Sequence, residues 1–164
     1  RLLLIAGNET TTGLITASAR IFHENPHTLL ALKQRPDLAA IFVEEALRFY
    51  SPFSATVRRT TKDVELAGQK IPAGELVVPL IASANRDEQV FTDPDTFKLD
   101  REANPHLAMG FGIHFCLGAH LARLEGKIVA EEMARRYSSV TLTNPKTATV
   151  GDLGGPKELM VVVA

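Results

Sequence analysis

The residue with the clearest chemical potential is Cys116, the one cysteine among 164 residues. Gly110 and Gly112 come shortly before it, and Gly118 comes shortly after it. Glycines let a backbone turn tightly and approach a flat ligand closely. A helical pattern begins at Ala119, and the start of a helix favours a nearby negative charge. This arrangement would stabilise a Cys116 thiolate, the form of cysteine that acts as a nucleophile and metal ligand.

Three roles for Cys116 follow from these neighbours. A lone cysteine is most often a small buried apolar residue. A zinc ion would need more ligands, and although His114 and His120 flank the cysteine, no second cysteine or carboxylate cluster completes a tetrahedral set. A thiolate in a glycine-lined loop suits an axial ligand of haem iron. Taken alone, the segment favours the first role.

A second unusual segment lies inside the first predicted helix, which apolar periodicity places at 1–24. Residues 6–13 read Ala-Gly-Asn-Glu-Thr-Thr-Thr-Gly. Each interior glycine costs about 1 kcal/mol relative to alanine, and threonine hydroxyls can bond to the preceding turn and bend a helix. Such a segment either opens a groove for a small ligand or lets another helix pack closely, and alone it favours close packing.

The segment around Cys116 resembles the haem-binding loop of the cytochrome P450 family. The family pattern is an aromatic residue followed by Gly-x-Gly-x-basic-x-Cys-x-Gly. The matching positions are Gly110, Gly112, His114, Cys116 and Gly118. Met109 stands where the family usually has phenylalanine. The resemblance implies a haem b cofactor whose iron is bound by the Cys116 thiolate.

Further haem contacts are implied by the same resemblance. Arg58 would pair with a haem propionate, because a guanidinium pairs well with a carboxylate, and His114 would serve the other side of that edge. Arg59 is the competing assignment, since adjacent residues in a strand face opposite ways. The predicted haem-binding residues are Ala6, Arg58, Gly110, Phe111, His114, Cys116, Gly118 and Ala122.

Residues 6–10, Ala-Gly-Asn-Glu-Thr, resemble the oxygen-binding helix of the same family. The resemblance implies that Thr10 hydrogen-bonds the bound dioxygen and that Glu9 relays protons toward it. Cleavage of the O–O bond requires two protons. A hydroxyl can donate and accept, and a carboxyl backed by water can reload it. The predicted catalytic residues are therefore Glu9 and Thr10.

Glu45 and Arg48 share one face of a predicted helix at 38–50. Alone, such a pair indicates a solvated surface contact worth about 0 to 1 kcal/mol. In the cytochrome P450 family the corresponding pair is buried and joins an arginine of a later irregular segment, and the three together hold the cysteine loop in place. The resemblance implies that Arg101 is this arginine. These three are predicted to be structural. The residues predicted to contact substrate are Phe53, Ser54, Ala55 and Thr56.

The remaining pattern predicts a mainly α chain with small β-sheets, an α+β fold that corresponds to the C-terminal part of the cytochrome P450 fold from the oxygen-binding helix onward. Helices are predicted at 26–34 and 119–136, β structure over 57–81 with a strand at 76–81, a helical turn at 82–87 and an irregular loop over 91–105. Strands at 140–143 and 159–163 would be joined through a turn at 153–156.

The last long helix carries an amphipathic pattern. Leu121, Leu124, Ile128, Ala130 and Met133 are predicted to face the core, and Arg123, Lys127, Glu131 and Arg135 to face solvent. Arg123 and Lys127 either form a basic docking surface for an electron-donor protein or a simple solvated face.

Composition narrows the class of protein. Apolar residues make up 45% and charged residues 23% of the chain, which are ordinary globular values. A net charge of −1 gives no case for nucleic-acid or anionic-membrane binding. One cysteine excludes an internal disulfide framework, which favours a reducing compartment and a cytoplasmic location. No membrane anchor is visible, and the start inside a helical pattern without methionine indicates that 1–164 is the C-terminal part of one domain.

The function implied by the resemblance is monooxygenation. One oxygen atom of dioxygen would enter a small organic substrate, with electrons from a donor protein such as a ferredoxin or flavodoxin. Two alternatives are a peroxygenase or isomerase that also uses a haem thiolate, and a non-catalytic haem-binding or gas-sensing module. The fragment by itself is expected to be inactive.

Overall fold

The computed structural model describes residues 2–143 and 159–164, a mainly α chain with small sheets, as the sequence predicts. The helices are α1 (Leu2–Glu24), α2 (Pro26–Gln34), α3 (Ala39–Phe49), α4 (Ile81–Ala84) and α5 (Ala119–Arg136), with 3-10 turns at Pro36–Leu38 and Gly112–His114. The strands are β1 (Arg58–Arg59), β2 (Val64–Leu66), β3 (Gln69–Ile71), β4 (Leu76–Val77), β5 (Val140–Leu142) and β6 (Val161–Val163). Within these ranges no helix is long and apolar enough to cross a membrane.

The core lies where α1, α3 and α5 cross. A Cβ atom added to Gly126 of α5 would lie 2.7 Å from Leu14 Cδ2 of α1 and 3.2 Å from Val43 Cγ2 of α3. Glycine therefore allows this close approach without displacing the Leu14 or Val43 side chain. The rings of Phe22 and Phe42 stack with centroids 4.9 Å apart and extend the same contact between α1 and α3.

The buried face of α5 differs from the predicted one. Leu121, Leu124 and Ile128 are 60%, 53% and 49% exposed, so their predicted core positions are wrong. The buried residues of the helix are small: Ala119, Gly126, Ala130 and Ala134. The close approach at Gly126 leaves no room for larger side chains on the inner face, so the apolar periodicity identifies the wrong side. Of the predicted core residues, Ala130 is buried and Met133 is partly buried.

The strand predicted at 76–81 is also shorter than expected. β4 pairs with β1 only at Val77–Arg58 and Leu76–Arg59, in antiparallel register. Pro79 has no N–H to extend the ladder, and its carbonyl accepts the Thr56 N–H at 3.1 Å. The chain then turns into α4 at Ile81.

The two other sheets agree with the sequence prediction. β2 and β3 form an antiparallel hairpin whose turn residues, Ala67 and Gly68, have φ values of 48° and 79°. β5 pairs with β6, with Val140 opposite Val163. The predicted turn at 153–156 lies outside the described residues. The loop predicted over 91–105 contains no helix or strand.

A carboxylate on α3 that is one-third exposed joins three segments. Glu44 accepts two hydrogen bonds from the Arg123 guanidinium of α5, at 2.6 and 2.9 Å, and lies 3.1 Å from Nε2 of His106. We call Glu44, His106 and Arg123 the Glu44 cluster. Burial opposes ionisation of the Glu44 carboxyl, but the hydrogen bonds from His106 and Arg123 outweigh burial and lower its pKa from 4.5 to about 2. Arg123, predicted to face solvent, is thus a partner of α3.

The lowered pKa of Glu44 predicts how stability depends on pH. Glu44→Gln should reduce the free energy of unfolding by about 1–2 kcal/mol at pH 7, because hydrogen bonds to charged groups contribute about that much and partial exposure weakens them. A lowered folded-state pKa gives stability that is present above the unfolded pKa of about 4.5 and is lost as the pH falls toward 2. Urea unfolding of both proteins at several pH values measures this difference.

The control for this prediction is Glu102→Gln, which removes an exposed carboxylate from the irregular loop. Surface substitutions of this kind usually change stability by less than about 0.5 kcal/mol. A stability difference between Glu44→Gln and wild type that stays constant from pH 7 to pH 2 would contradict the prediction.

Candidate functional site

A cavity of about 430 Å³ lies between α1, the segment that follows α3 and the cysteine loop, which we define as residues 109–118. The predicted site residues that line it are Ala6, Thr10, Phe53, Thr56, Arg58, Gly110, Phe111, His114, Cys116 and Ala122. Lining residues not included in the predicted sites are Leu14, Leu47, Pro52, Pro79, Ile81, Leu107, Ala108 and Met109. Residues far apart in the sequence therefore meet at one cavity.

Of the residues predicted to act in catalysis or to bind haem or substrate, four do not line the cavity. Glu9 is exposed on α1, one residue before Thr10. Ser54 and Ala55 lie between the lining residues Phe53 and Thr56, and the Ser54 carbonyl accepts the Ala82 N–H at 3.0 Å, which ties this segment to α4. Gly118 is the fourth, and a Cβ there would lie 4.0 Å from Cys116 Sγ. The roles proposed for these four remain predictions.

The cysteine loop is folded by its own backbone. Cys116 N–H donates to the Met109 carbonyl at 2.8 Å, and Phe115 N–H donates to the Gly112 carbonyl at 3.1 Å. Gly110 has a φ of 75°, and a Cβ there would lie 2.8 Å from the His114 carbonyl oxygen. Glycine is therefore required at 110 for both its conformation and its lack of a side chain.

Two of the three roles considered for Cys116 are not supported. The cysteine is exposed, so the interpretation as a buried apolar residue is wrong. No group of three or more His, Cys, Asp or Glu side chains in the described ranges could hold a metal ion, so a zinc site does not form around Cys116 there. The thiol lines the cavity beside His114, where a ligand with a coordinating centre could reach it.

The α1 segment contributes a hydroxyl to the same cavity. Thr10 Oγ1 donates to the Ala6 carbonyl at 2.6 Å, the hydrogen bond to the preceding turn that the sequence suggests. Because its proton is committed to Ala6, the Thr10 oxygen has lone pairs left for a group in the cavity. Gly7 has no neighbour within 4 Å of an added Cβ, whereas a Cβ on Gly13 would lie 3.1 Å from Pro52 Cβ. Of the two glycines, Gly13 serves close packing.

Arg58 and Arg59 point to different surroundings. Arg58 lines the cavity, and its Nη1 donates to Thr56 Oγ1 and to the Val57 carbonyl, each at 2.9 Å. Arg59 Nη1 donates to the Gly74 carbonyl, and Arg59 does not line the cavity. The alternation of side chains along β1 explains the difference.

The three predicted structural residues meet in a buried cluster, which we call the Glu45 cluster. Arg48 Nε and Nη2 donate to the two Glu45 oxygens at 2.8 Å each, and Arg101 Nε donates to Oε2 at 2.9 Å. The side chains of Glu45 and Arg48 are 0% exposed and that of Arg101 is 6% exposed. The interpretation of Glu45 and Arg48 as a solvated surface pair is therefore wrong.

Asn85 connects the Glu45 cluster to the cavity walls. This fully buried residue accepts an Arg48 N–H on its backbone carbonyl at 2.9 Å. Its side-chain oxygen accepts the Leu107 N–H at 2.7 Å, and its amide donates to Ser51 Oγ at 2.7 Å. Leu107 lines the cavity, and Ser51 precedes the lining residues Pro52 and Phe53. Sequence analysis missed Asn85 because a single asparagine after a short helical turn carries no signal of its partners.

The cavity residues fit the haem that the resemblance implies. Cys116 offers a soft thiolate donor of the kind that binds haem iron. The rest of the wall is mostly apolar, which suits the flat macrocycle of haem. Arg58 and His114 can pair with the carboxylates at the edge of that macrocycle. Met109 and His114 also line the cavity, but the cysteine is the one side chain of the lining that can bind iron as an anion.

Comparisons with known proteins give a consistent result. The profile of the family described as cytochrome P450 matches residues 3–158. The chain is 52% identical over 132 residues to cytochrome P450 109 of Bacillus spizizenii, covering 80% of this chain and 33% of that protein. It is 47% identical over 163 residues to cytochrome P450 119 of Sulfolobus acidocaldarius, covering 98% of this chain and 43% of that protein.

A solved structure shows the same fold. CYP109E1 from Bacillus megaterium, in complex with corticosterone, matches with a TM-score of 0.91 and 45% identity over 98% of this chain and 44% of that one. The chain therefore spans well under half the length of the relatives it matches. Cytochromes P450 carry haem b with a cysteine thiolate as axial ligand, which agrees with the chemistry of the cavity. On the family profile, the identities and the shared fold, this chain belongs to the cytochrome P450 family.

Proposed function

We propose that the whole protein is a haem-thiolate monooxygenase, which transfers one oxygen atom of dioxygen to a small organic substrate. The observation that carries this proposal is that the Cys116 thiol and the Thr10 hydroxyl line the same cavity. Oxygen activation requires two groups from the protein, which are a thiolate that binds the haem iron and a hydroxyl that takes part in proton transfer. Haem, when bound, supplies the electron transfer and oxygen activation that no side chain can perform.

Cys116 would hold the haem iron through its sulfur, and the cysteine loop keeps that sulfur in place. The hydrogen bond from Cys116 N–H to the Met109 carbonyl fixes the backbone on either side of the turn. Arg58 and His114 hold the propionates, because both line the cavity and both can donate to a carboxylate. Ala6 on one helix and Ala122 on another are small enough to let a flat ring lie close to the backbone.

Thr10 and Glu9 take part in proton transfer to the cavity. Thr10 Oγ1 donates to the Ala6 carbonyl in this structure, and rotation of the hydroxyl would let it donate to the oxygen substrate in the cavity and keep that substrate in position. Glu9 is exposed beside it and can exchange protons with solvent. Water would then carry protons between the carboxyl and the cavity, which is a common route when a base is not in direct contact.

The substrate is an apolar organic molecule of modest size. Phe53, Leu47, Pro79 and Ile81 give the cavity apolar walls, and Thr56 adds one hydroxyl. Two structural neighbours bind different apolar molecules: CYP109E1 binds corticosterone, and P450BioI binds a hexadecenoic acid carried by acyl carrier protein. Chemically diverse apolar substrates therefore suit this fold, and a screen should include steroids and long-chain acids.

Electrons come from a small donor protein such as a ferredoxin or a flavodoxin. The exposed apolar residues Leu121 and Leu124 of α5 are surface groups that such a partner could use, together with Lys127, whose ammonium lies 3.7 Å from a Glu131 oxygen and stays exposed. Arg123 is a weaker candidate than its sequence position suggests, because Glu44 already neutralises it. The single cysteine of the sequence favours a cytoplasmic location, where a reduced donor protein is available.

The ligand assignment predicts a spectral signature. The whole protein, reduced and saturated with carbon monoxide, should show the strongly red-shifted Soret band of a thiolate ligand. Cys116→Ser should lose this band, because an alcohol does not donate as a thiolate does. The control is Ser138→Ala, which removes a hydroxyl remote in sequence from the loop. An ordinary haem–CO band in the wild-type protein, or a red-shifted band that persists in Cys116→Ser, would exclude Cys116 as the ligand.

The role of Thr10 predicts uncoupling. Thr10→Ala should consume reducing equivalents at about the wild-type rate but yield at least tenfold less product, with peroxide released instead, since general acid–base groups contribute about 10²–10⁴-fold. Thr10→Ser should restore most of the product. Thr12→Ala is the matched control, because Thr12 lies on the same helix but not in the cavity. Unchanged coupling in Thr10→Ala would contradict the assigned role.

The cavity position of Arg58 predicts a selective effect on haem retention. Arg58→Ala should release haem to apomyoglobin roughly tenfold faster, because one charge-assisted contact with a propionate is lost. Arg59→Ala is the matched control, and it should leave the release rate near that of wild type because its guanidinium faces Gly74. Faster release from Arg59→Ala than from Arg58→Ala would reverse the assignment.

A further inference from the structure

The Glu44 cluster reaches both ends of the cysteine loop. His106 lies three residues before Met109, where the loop begins, and Arg123 lies five residues after Gly118, where it ends. Glu44, on α3, binds both of these residues. The His106 side chain is 3% exposed and that of Arg123 is 30% exposed, so water screens the cluster only partly. A change of charge at Glu44 therefore occurs close to the cysteine loop, and solvent screens its electrostatic effect on the loop only partly.

Hydrogen bonding fixes the arrangement of this cluster. The Ala108 N–H donates to Nδ1 of His106 at 3.2 Å, and Nε2 of the same ring lies 3.1 Å from a Glu44 carboxylate oxygen. Arg123 is the permanent cation of the cluster, and the Glu44 carboxylate is the anion that its guanidinium binds.

Arg123 also interacts electrostatically with the cysteine. The pKa of Arg123 is raised above its ordinary value, first by its hydrogen bonds to Glu44 and, to a smaller extent, by attraction to the Cys116 thiolate. Arg123 lies seven positions after Cys116 in the sequence, and its guanidinium is held in one place by two hydrogen bonds to Glu44. The loop thus has a fixed cation near it whose effect Glu44 largely cancels.

We propose that Glu44 is a positioning residue that compensates the charge of Arg123 and thereby sets how strongly the haem bound at Cys116 holds an added electron. The inference rests on the proposed haem ligation by Cys116. An uncompensated arginine near the thiolate would favour the reduced haem, because that state carries one more negative charge. An uncompensated Glu44 would favour the oxidised haem for the same reason.

The test is a comparison of haem reduction potentials in the whole haem-loaded protein. Glu44→Gln keeps the shape of the side chain but removes its charge, and it should raise the equilibrium constant for one-electron reduction roughly threefold to tenfold. Arg123→Gln should lower this constant by a similar factor. The double variant should return close to wild type, because both charges are then absent. Loss of packing alone would not give opposite shifts that cancel.

Glu132→Gln is the matched control. Glu132 is also held by two hydrogen bonds from an arginine of α5, Arg135, and by a further one from Arg136, but it lies near the far end of the helix. Its loss should leave the potential unchanged. If Glu44→Gln fails to fold, Arg123→Gln alone decides, and an unchanged or raised potential there overturns the proposal.

The carbon monoxide spectrum distinguishes a failure of the Cys116 ligand assignment from a failure of the proposed role of Glu44. A thiolate Soret band that is retained in every variant, together with potentials that do not move, overturns the role of Glu44 and leaves Cys116 as the ligand. A wild-type spectrum without the thiolate band overturns the ligand assignment, and the role of Glu44 fails with it. A band that is retained, together with opposite shifts for the two single variants, supports both.

Discussion

The buried carboxylate of Glu45 is the group on which the order of this chain most depends. It accepts hydrogen bonds from Arg48 and Arg101, and also from the Lys98 N–H at 3.0 Å and the Asn104 amide at 3.1 Å. Removal of one partner from a buried ion pair costs about 3–5 kcal/mol, because the other charge is left without compensation. The remaining guanidinium N–H groups donate to backbone carbonyls of Thr92, Pro94 and Thr96. The cluster therefore replaces the hydrogen bonds that secondary structure would give to the irregular loop over 91–105.

Asn85 connects the Glu45 cluster to the walls of the cavity and so helps to fix the geometry of the cavity. Both ends of the Asn85 side chain are used, one on Leu107 and one on Ser51, and its carbonyl is held by Arg48. The Gly110 N–H in turn donates to the Leu107 carbonyl at 2.9 Å, which connects the path to the cysteine loop. A buried polar network is costly when any member is unsatisfied, so it permits few alternative arrangements. Two walls of the cavity are thus held in one relative position by hydrogen bonds as well as by apolar packing.

Much of this could be predicted from the sequence, for reasons that differ between elements. Pro26 and the glycines before Ala119 mark helix ends through local backbone constraints, so those bounds are right. The inner face of α5 was mispredicted, because close contact at Gly126 selects small residues and periodicity rewards large ones. Gly110, His114 and Cys116 could be grouped from the sequence because a loop motif is local, and all three line the cavity. The partners of Glu44 could not be predicted, since His106 and Arg123 are 62 and 79 residues away in sequence.

Two adjacent carboxylates on α3 take opposite roles because of helix geometry. Consecutive residues of a helix are rotated by about 100°, so Glu45 points into the core while its neighbour Glu44 points toward the rim of α5. The Glu45 carboxylate stabilises the loop over 91–105 by accepting hydrogen bonds from Lys98 N–H, Arg101 and Asn104. Glu44 is one-third exposed, and water relieves part of the cost of changing its charge. The chain thereby separates the electrostatics that hold the fold from the electrostatics beside the cysteine, so the second can vary without loss of the first.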